Sequence, residues 1–464
     1  MDNANSGGQP RPAPQRRRLP GTAWIPKHAH PYAWATLGVT WAIWTLNAMD
    51  FSFVSVLGPV LVEEFALSGT ALGGFVAFLL LVRVIVDLPV SAWSDRLGSG
   101  WRRRTLWAPI IIFYALVSTA TAIKAISSTV WSFFALRAAV NVGAVACETI
   151  GITATSEWWA KSQRGFAVGL HHTGFPIGSF IAGQLLSIVL RIFGNENWRY
   201  VFWFSLLSLP FVALYWWLSS PDKFAQVYER IDEQGLERPY TAEESVQADI
   251  PWWHVFKQKE VVLAALYTAF FIAVFFMFTI AFPAYLAFVG GYSFAKVAAL
   301  SVIWAVTGAI FQVLLPSLSD YIGRKPILVA AGFYAGVIML LLQFATNIYW
   351  VFGVQILYGV VLNAIYPICF SVCADASPPG RAATAISIST SMLWLAGAAA
   401  VFFTGTLIDL GGGFESRSGY ITVFYIMSAL SFAAGIMYLF ARETAGVRHR
   451  RAPDPEETRG APLP

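Results

Sequence analysis

Twelve long apolar stretches run through this chain, and they constrain its fold more than any other feature of the sequence. Each stretch has about the 20 residues that an α-helix needs to cross the hydrocarbon core of a bilayer. Because backbone N–H and C=O groups must be paired internally in lipid, such stretches predict transmembrane helices. The predicted spans are 33–62, 70–92, 105–125, 129–157, 164–190, 199–218, 259–289, 293–316, 326–345, 347–374, 381–409 and 419–441.

The composition agrees with an all-α polytopic membrane protein. Only 12% of the residues are charged and 57% are hydrophobic, whereas soluble domains carry about 25% charged residues. The net charge of +5 does not indicate nucleic-acid binding, because Lys and Arg of membrane proteins gather in cytosolic loops. The three cysteines lie within apolar stretches. We expect them to pack there without forming a metal site, and we expect no cofactor.

The basic residues predict the orientation of the spans. Most of the 31 Lys and Arg residues fall in the two tails and in alternate loops, which places both ends of the chain in the cytosol. We expect the protein to be located in a plasma membrane, specifically the cytoplasmic membrane of a bacterium. The predicted organisation is a disordered tail over 1–32, a six-helix bundle over 33–218, a linker over 219–258, a second six-helix bundle over 259–441 and a disordered tail over 442–464.

The linker contains a predicted amphipathic helix. Phe224, Val227, Tyr228 and Ile231 recur at helical spacing among many charged residues, and Gly235 is a suitable stop. We expect this helix to lie on the inner membrane face and to tether the two bundles.

The two halves repeat a short pattern in corresponding loops. Residues 94–98 read Ser-Asp-Arg-Leu-Gly and precede three arginines at 102–104, while residues 319–325 read Ser-Asp-Tyr-Ile-Gly-Arg-Lys. A second pattern also recurs in the two halves: Glu157 is followed by Arg164, and Asp375 is followed by Arg381. An Asp at this position can accept hydrogen bonds from a helix N-terminus or from an Arg in one conformational state and lose those bonds in another. The predicted gating residues are Asp95, Arg96, Arg102, Asp320, Arg324, Glu157, Arg164, Asp375 and Arg381.

With these motifs the chain resembles the major facilitator superfamily over nearly all of residues 33–441. The loop after the second span is similar to the signature Gly-x-x-x-Asp-Arg-x-Gly-Arg-Arg, although Ser91 replaces the first Gly and residues 99–101 intervene. Within the superfamily, residues 157–169, 375–381 and the Asn-Ala-Met-Asp of 47–50 look like the anion:cation symporter branch.

The resemblance implies two pseudo-symmetric six-helix bundles with a substrate site between them that opens alternately to each side. It also implies coupling to a proton or sodium gradient. Two positions depart from the branch: Phe51 stands where an Arg usually follows the first-span Asp, and Ala144 stands where a Glu usually follows the fourth-span Arg. Residues 174–176 do not match the Gly-Pro motif of drug antiporters.

Charged residues within the spans are the first candidates for function, because a charge at the bilayer centre costs about 2.5–3.5 kcal/mol on insertion scales. Asp50 lies near the middle of the first span with Asn47 on the same face. Arg83 and Asp87 are four residues apart in the second span and could pair directly.

The fourth and fifth spans hold further titratable residues. Arg137 and Glu148 share one stripe of the fourth span, but they are roughly 16 Å apart along the axis and cannot form one salt bridge. His171 and His172 begin the fifth span, where one imidazole could lie at the depth of Glu148 and titrate near neutral pH. Alternatively, these histidines only bond to backbone or to neighbouring Ser and Thr.

The leading hypothesis is a secondary transporter that takes up a small organic anion, such as a sugar acid or an aromatic carboxylate, together with protons. The alternative is a proton antiporter that exports a neutral or cationic compound held by Asp50 or Glu148. An enzyme or an ATP-driven pump is disfavoured, since the sequence has no catalytic cluster and no P-loop. The predicted substrate-binding residues are Arg83, Arg137, Asn47, Asn363 and Tyr366, and those predicted for proton (or sodium) coupling are Asp50, Asp87, Glu148, His171 and His172.

Overall fold

The computed structural model describes residue 26 and residues 28–97, 100–160, 163–239, 252–345, 347–377 and 382–444. Every regular element in these ranges is a helix. Ten helical segments of the described ranges are long and apolar enough to cross a membrane, and one pair of helices bent by 50° adds an eleventh. The further long helix Val130–Glu157 covers the fourth predicted span. The structure confirms the all-helical polytopic fold class.

The first half of the molecule precedes the linker. Thr129 caps its fourth span with a capping box, in which the Thr129 and Ser132 side chains each accept from the other's backbone N–H. Short 3-10 helices, Gly100–Arg103 and Asn195–Leu207, lead into the third and sixth spans. The α-helices are α1 (Pro31–Val56), α2 (Gly58–Phe65), α3 (Gly69–Arg96), α4 (Arg104–Thr121), α5 (Val130–Glu157), α6 (Arg164–His172), α7 (Gly174–Phe193) and α8 (Ser208–Leu218).

The linker and the second half follow. The linker forms α9 (Pro221–Glu233), capped by the Ser220 side chain, and a 3-10 helix, Trp252–Lys257, leads out of it. The second half has the helices α10 (Lys259–Ala284), α11 (Phe294–Leu300), α12 (Trp304–Ile322), α13 (Arg324–Leu341), α14 (Ile348–Leu362), α15 (Ile365–Ala376), α16 (Ala382–Leu410) and α17 (Arg417–Leu439). The predicted tails lie almost wholly outside the described residues.

Several predicted spans are interrupted within the described residues, among them the first, fifth and tenth. α1 gives way to α2 at Leu57, α6 to α7 at Thr173, and α14 to α15 at Asn363. Pro59 fits the first turn of α2, where its missing N–H is not needed. Irregular backbone at membrane depth is tolerated where it is buried in protein or lines a cavity. These breaks therefore mark where the interior of the molecule is adapted to something other than helix packing.

The two halves meet where α3 packs on α16 and where α7 packs on α11 and α12. Glycines allow the close approach: a side chain at Gly73 would begin 2.5 Å from the carbonyl oxygen of Val401, and Gly69 and Gly405 lie against each other's backbone. Contacts of this type between small residues let helices in lipid approach closely.

Hydrogen bonds reinforce this contact at the end of the molecule where α3 begins. The Asp409 carboxylate of α16 accepts from the N–H of Gly69 at 2.7 Å, and from the N–H and hydroxyl of Thr70 at 2.8 Å and 2.7 Å. Gln184 of α7 donates to the carbonyl oxygen of Ala299 at 3.0 Å. We call these five residues the seal, because they join the two halves at this end.

The amphipathic helix α9 packs on the first half at the opposite end. Val227 and Ile231 are buried, as their positions on the predicted stripe require. The ring of Phe224 lies edge-on to Trp158 at 5.1 Å, and the Tyr228 hydroxyl donates to the carbonyl oxygen of Glu157 at 3.1 Å. The linker helix is therefore attached to the end of α5, where the acidic residue of the repeated loop stands.

Candidate functional site

A charge pair joins α3 and α5 near the middle of the molecule. Arg83 donates from Nη2 to Oε2 of Glu148 at 2.9 Å. The Arg83 side chain is only 3% exposed, while that of Glu148 is 29% exposed. Arg83 thus has a partner on a different helix, whereas the sequence spacing had pointed to Asp87, one turn away on its own helix. From the sequence, Arg83 is predicted to bind substrate and Glu148 to take part in proton coupling, and the structure brings the two side chains together.

Aromatic rings from both halves surround this pair. The guanidinium carbon of Arg83 lies 5.3 Å from the ring centre of Phe51 on α1 and 4.4 Å from that of Trp394 on α16. Phe276 of α10 is packed against both, at 6.4 Å from Phe51 and 6.3 Å from Trp394. We call Phe51, Phe276 and Trp394 the ring cluster. The charge pair therefore lies at the interface between the halves, where alternating access needs a binding site.

The charge pair also accounts for the two departures from the anion:cation symporter pattern. Phe51 occupies the position of the missing Arg, and the guanidinium of Arg83 lies over its ring. Glu148 follows Ala144, the position of the missing Glu, by one helical turn. An Arg and a Glu are thus present in this region, although each comes from another position in the chain.

A second charge pair is sealed inside the first half. Arg137 donates from Nη2 to the Asp50 carboxylate at 2.6 Å, and both side chains are only 2% exposed. Asp50 also accepts from the hydroxyls of Ser118 and Ser205. Phe202 covers the guanidinium, with its ring centre 4.6 Å from the Arg137 carbon. Such burial and full pairing are those of a structural ion pair.

This pairing involves two residues for which the sequence predicted functional roles. Asp50 was expected to carry the coupling proton and Arg137 to bind substrate, but each neutralises the other away from solvent. Asn47, expected to bind substrate, is 1% exposed and is also enclosed in the first half. The sequence correctly separated Arg137 from Glu148, which belong to two different pairs.

The second half contributes neutral polar groups, among them the predicted substrate-binding residues Asn363 and Tyr366. The Nδ2 of Asn363, at the break between α14 and α15, has no hydrogen-bond partner among the described residues. The hydroxyl groups of Tyr358 and Tyr366 also lack a partner in the described part of the chain. Buried donors of this kind are costly unless a ligand or water satisfies them. They are the polar groups of the second half best suited to a ligand.

The predicted histidines lie on the first half beside α5. The His171 ring is fully buried and stacks against Trp44, with centroids 6.2 Å apart. Gly151 follows Glu148 by three residues on α5. A Cβ added at Gly151 would lie 3.4 Å from the Nε2 of His171. His172 is perpendicular to His171 at 6.1 Å. His171 is therefore near the depth of Glu148, but its immediate neighbours are aromatic.

The loop after α3 forms a first latch from Ser94, Gly100, Arg103 and Glu157. Arg103 donates from Nη2 to Oε1 of Glu157 at 2.9 Å and from Nη1 to the Ser94 hydroxyl at 2.6 Å. The Gly100 N–H donates to Oε2 of Glu157 at 2.6 Å. The sequence predicts Arg102, from this cluster of arginines, as a gating residue, and that role stays a prediction. Arg102 lies over the ring of Trp101, and it is Arg103 that reaches Glu157.

The second half has a corresponding latch formed by Arg324, Asp375 and Glu443. Arg324 donates to the Asp375 carboxylate, so the two motifs predicted separately in this half are bonded to each other. Glu443 accepts from the N–H groups of Arg324 and Lys325, both at 3.0 Å. In both halves, an Arg of the repeated loop binds the acidic residue at the end of the fourth span of that half. Arg103 binds Glu157, and Arg324 binds Asp375.

The remaining gating predictions cannot all be placed. Arg96 is exposed at the end of α3, and Arg164 begins α6. The backbone of Asp95 and Asp320 belongs to α3 and α12, whereas Arg381 lies outside the described residues.

The linker helix between the halves, the charge pair beside their interface and the latch that recurs in both halves together suit a membrane transporter. Family comparison agrees. The chain belongs to the Major Facilitator Superfamily, whose model matches residues 40–338 and 291–463. The inward open conformation of the xylose transporter XylE from E. coli has the same fold, with a TM-score of 0.67 at 16% identity over 89% of this chain and 98% of that one.

Relatives with known names are transporters of several kinds. The hexuronate transporter of Bacillus subtilis is 24% identical over 84% of this chain and 92% of its own length. Two others match only part of the chain. The benzoate transport protein of Acinetobacter baylyi is 25% identical over 40% of this chain and 38% of its own. The multi-drug resistance efflux pump PmrA of Streptococcus pneumoniae is 29% identical over 32% and 36%, respectively.

Proposed function

We propose that this protein takes up a small organic anion together with a proton, and that Arg83 and Glu148 form the site that both share. The observation that carries this proposal is the 2.9 Å charge pair at the interface between the halves, with the carboxylate more exposed than the guanidinium. Hexuronate and benzoate, which the named relatives carry, are both organic acids.

The chemistry follows from competition for one guanidinium. While Glu148 is ionised, it occupies an N–H of Arg83 and neutralises the charge that a substrate carboxylate needs. A proton arriving on the exposed Glu148 removes its negative charge and frees the guanidinium. A planar guanidinium can then hold the substrate carboxylate through two parallel N–H···O bonds. Loss of the proton restores the original pair and expels the anion, so the two ligands favour each other's binding.

The conformational part of the cycle uses the seal and the two latches. In this structure the seal joins the halves at the end where α3 begins. We propose that this end faces outward and the latch end faces the cytosol, with both termini in the cytosol of a bacterial cell. Release of the seal then exposes the Arg83–Glu148 pair to the outside, and re-formation of the seal encloses the bound anion.

Transport into proteoliposomes tests the proposal. The purified protein is reconstituted, and accumulation of labelled glucuronate and benzoate is measured with the lumen either alkaline or acidic relative to the medium. Symport predicts accumulation only with an alkaline lumen. Accumulation driven by an acidic lumen would indicate antiport, the alternative that the efflux relative represents.

Variants of the pair assign its roles. Glu148→Gln should lose accumulation driven by the pH gradient but retain substrate exchange, because an amide neither binds nor releases the proton. The matched control is Glu415→Gln, the same substitution at an exposed loop position. If Glu148→Gln accumulates substrate as the control does, Glu148 is not the coupling group.

A further inference from the structure

We propose that the substrate is a flat aromatic monocarboxylate, of which benzoate is the simplest example, and not a sugar acid. This inference rests on the proposed function, because it assigns the substrate carboxylate to Arg83. The argument comes from the side chains that border the guanidinium.

The first step concerns the shape of the space beside Arg83. Its guanidinium lies over the faces of Phe51 and Trp394, at 5.3 Å and 4.4 Å from their ring centres. A carboxylate that binds a guanidinium through two parallel hydrogen bonds lies in the same plane as the guanidinium. An anion bound to this guanidinium therefore lies beside two aromatic side chains, one from each half.

The second step concerns what is attached to that carboxylate. In a benzoate, the ring and the carboxylate form one conjugated plane with two apolar faces, which aromatic side chains can contact favourably. In a sugar acid, the carbon next to the carboxylate is tetrahedral and carries hydroxyl groups. A hydroxyl group placed against the ring faces of Phe51 and Trp394 would lose its hydrogen bond to water and gain none from those faces.

The third step concerns the walls of the ring cluster. Phe276 lies against both Phe51 and Trp394, and its ring is accommodated because Gly397 has no side chain: a Cβ there would begin 2.5 Å from the Phe276 ring. Phe51 and Trp394 are partly exposed, unlike Phe276, which is 2% exposed. Two accessible ring faces are thus held by a buried third ring, which is a wall suited to aromatic stacking.

Equilibrium binding to the purified protein tests the inference with three acids. Benzoate and cyclohexanecarboxylate have the same number of carbons and the same charge, but only benzoate is flat, while glucuronate is a sugar acid. We expect benzoate to bind about three- to tenfold more tightly than cyclohexanecarboxylate, the range for one aromatic contact. Trp394→Leu should abolish this preference, and Trp394→Phe should keep most of it. Trp203→Leu, at an exposed Trp elsewhere, is the matched control.

The outcomes separate this inference from the function on which it rests. Tighter binding of glucuronate than of benzoate, or an undiminished benzoate preference in Trp394→Leu, overturns the aromatic substrate while leaving organic-anion symport intact. A benzoate preference that depends on Trp394, without accumulation in a pH gradient, supports the aromatic ligand and overturns the proton coupling.

Discussion

Removing the charge of Asp409 should open the molecule at the seal. The carboxylate accepts three hydrogen bonds from Gly69 and Thr70, at the N-terminus of α3. These bonds cross between the halves, so they exist only while α3 and α16 are together. Their loss raises the free energy of the sealed state alone and shifts the population toward the open one.

The size of the shift can be worked from these contacts. A hydrogen bond to a charged group contributes about 1.5–3 kcal/mol, and a negative charge at a helix N-terminus adds about 0.3–1 kcal/mol. In Asp409→Asn the amide retains one acceptor oxygen but loses the charge. We expect a net loss of roughly 1.5–3 kcal/mol, which corresponds to about a 10- to 100-fold increase in the ratio of open to sealed molecules.

Chemical labelling at the seal measures this ratio. Ala298, fully buried beside Gly183, is replaced by Cys and modified with a membrane-impermeant maleimide. The native cysteines are buried, and the parent without Ala298→Cys gives their background rate. The labelling rate should rise about 10- to 100-fold in Asp409→Asn, less in Thr70→Val, and not in the exposed control Glu415→Gln. An unchanged rate in Asp409→Asn would refute the assignment of these bonds as a state-specific seal.

Three further predictions follow from the Asp50–Arg137 pair, the first latch and the linker helix. Asp50→Asn should lower stability by about 3–5 kcal/mol, because Arg137 is left buried without its partner; a melting temperature equal to wild type in detergent would contradict a structural role. Arg103→Lys should slow transport severalfold with substrate affinity unchanged, since Lys cannot reproduce the forked contact with Glu157. The control variant Arg102→Lys should transport at the wild-type rate. Equal transport rates in the two variants would argue against the latch. Tyr228→Phe should cost about 0.5–1.5 kcal/mol in thermal unfolding, the value of the hydrogen bond to Glu157, so a larger loss would point to a role beyond that bond.

The helices and the repeated loops could be predicted from the sequence because their signals are local. A span is visible as a run of apolar residues, and a loop pattern such as 94–98 is contiguous. The helix breaks could be anticipated only in part: proline marks the start of α2, but the break at Asn363 carries no such residue at the break itself.

The site was harder to predict because it depends on how the helices are rotated against each other. The i,i+4 spacing pointed Arg83 toward Asp87, whereas α5 supplies Glu148 from 65 residues further along the chain. Nothing in the sequence indicated that Trp394 belongs to the site. In an apolar span, an aromatic residue that faces the interior cannot be distinguished by sequence from one that faces lipid. Arg102 was preferred to Arg103 because the sequence did not reveal the left-handed Gly100 (φ 68°) and the 3-10 helix that turn Arg103 inward.

The two latches differ in how far water and ions can reach them. In the first, the Arg103 and Glu157 side chains are 3% and 6% exposed, whereas in the second, Arg324 and Asp375 are 10% and 39% exposed. Dissolved salt screens exposed charges over about 8 Å at 0.15 M ionic strength and buried pairs much less. Ionic strength therefore acts on the duplicated halves unequally. A rise in salt concentration at the latch end would loosen the second half at its latch while the first half kept its own, so the two halves need not respond in step to the same ionic environment.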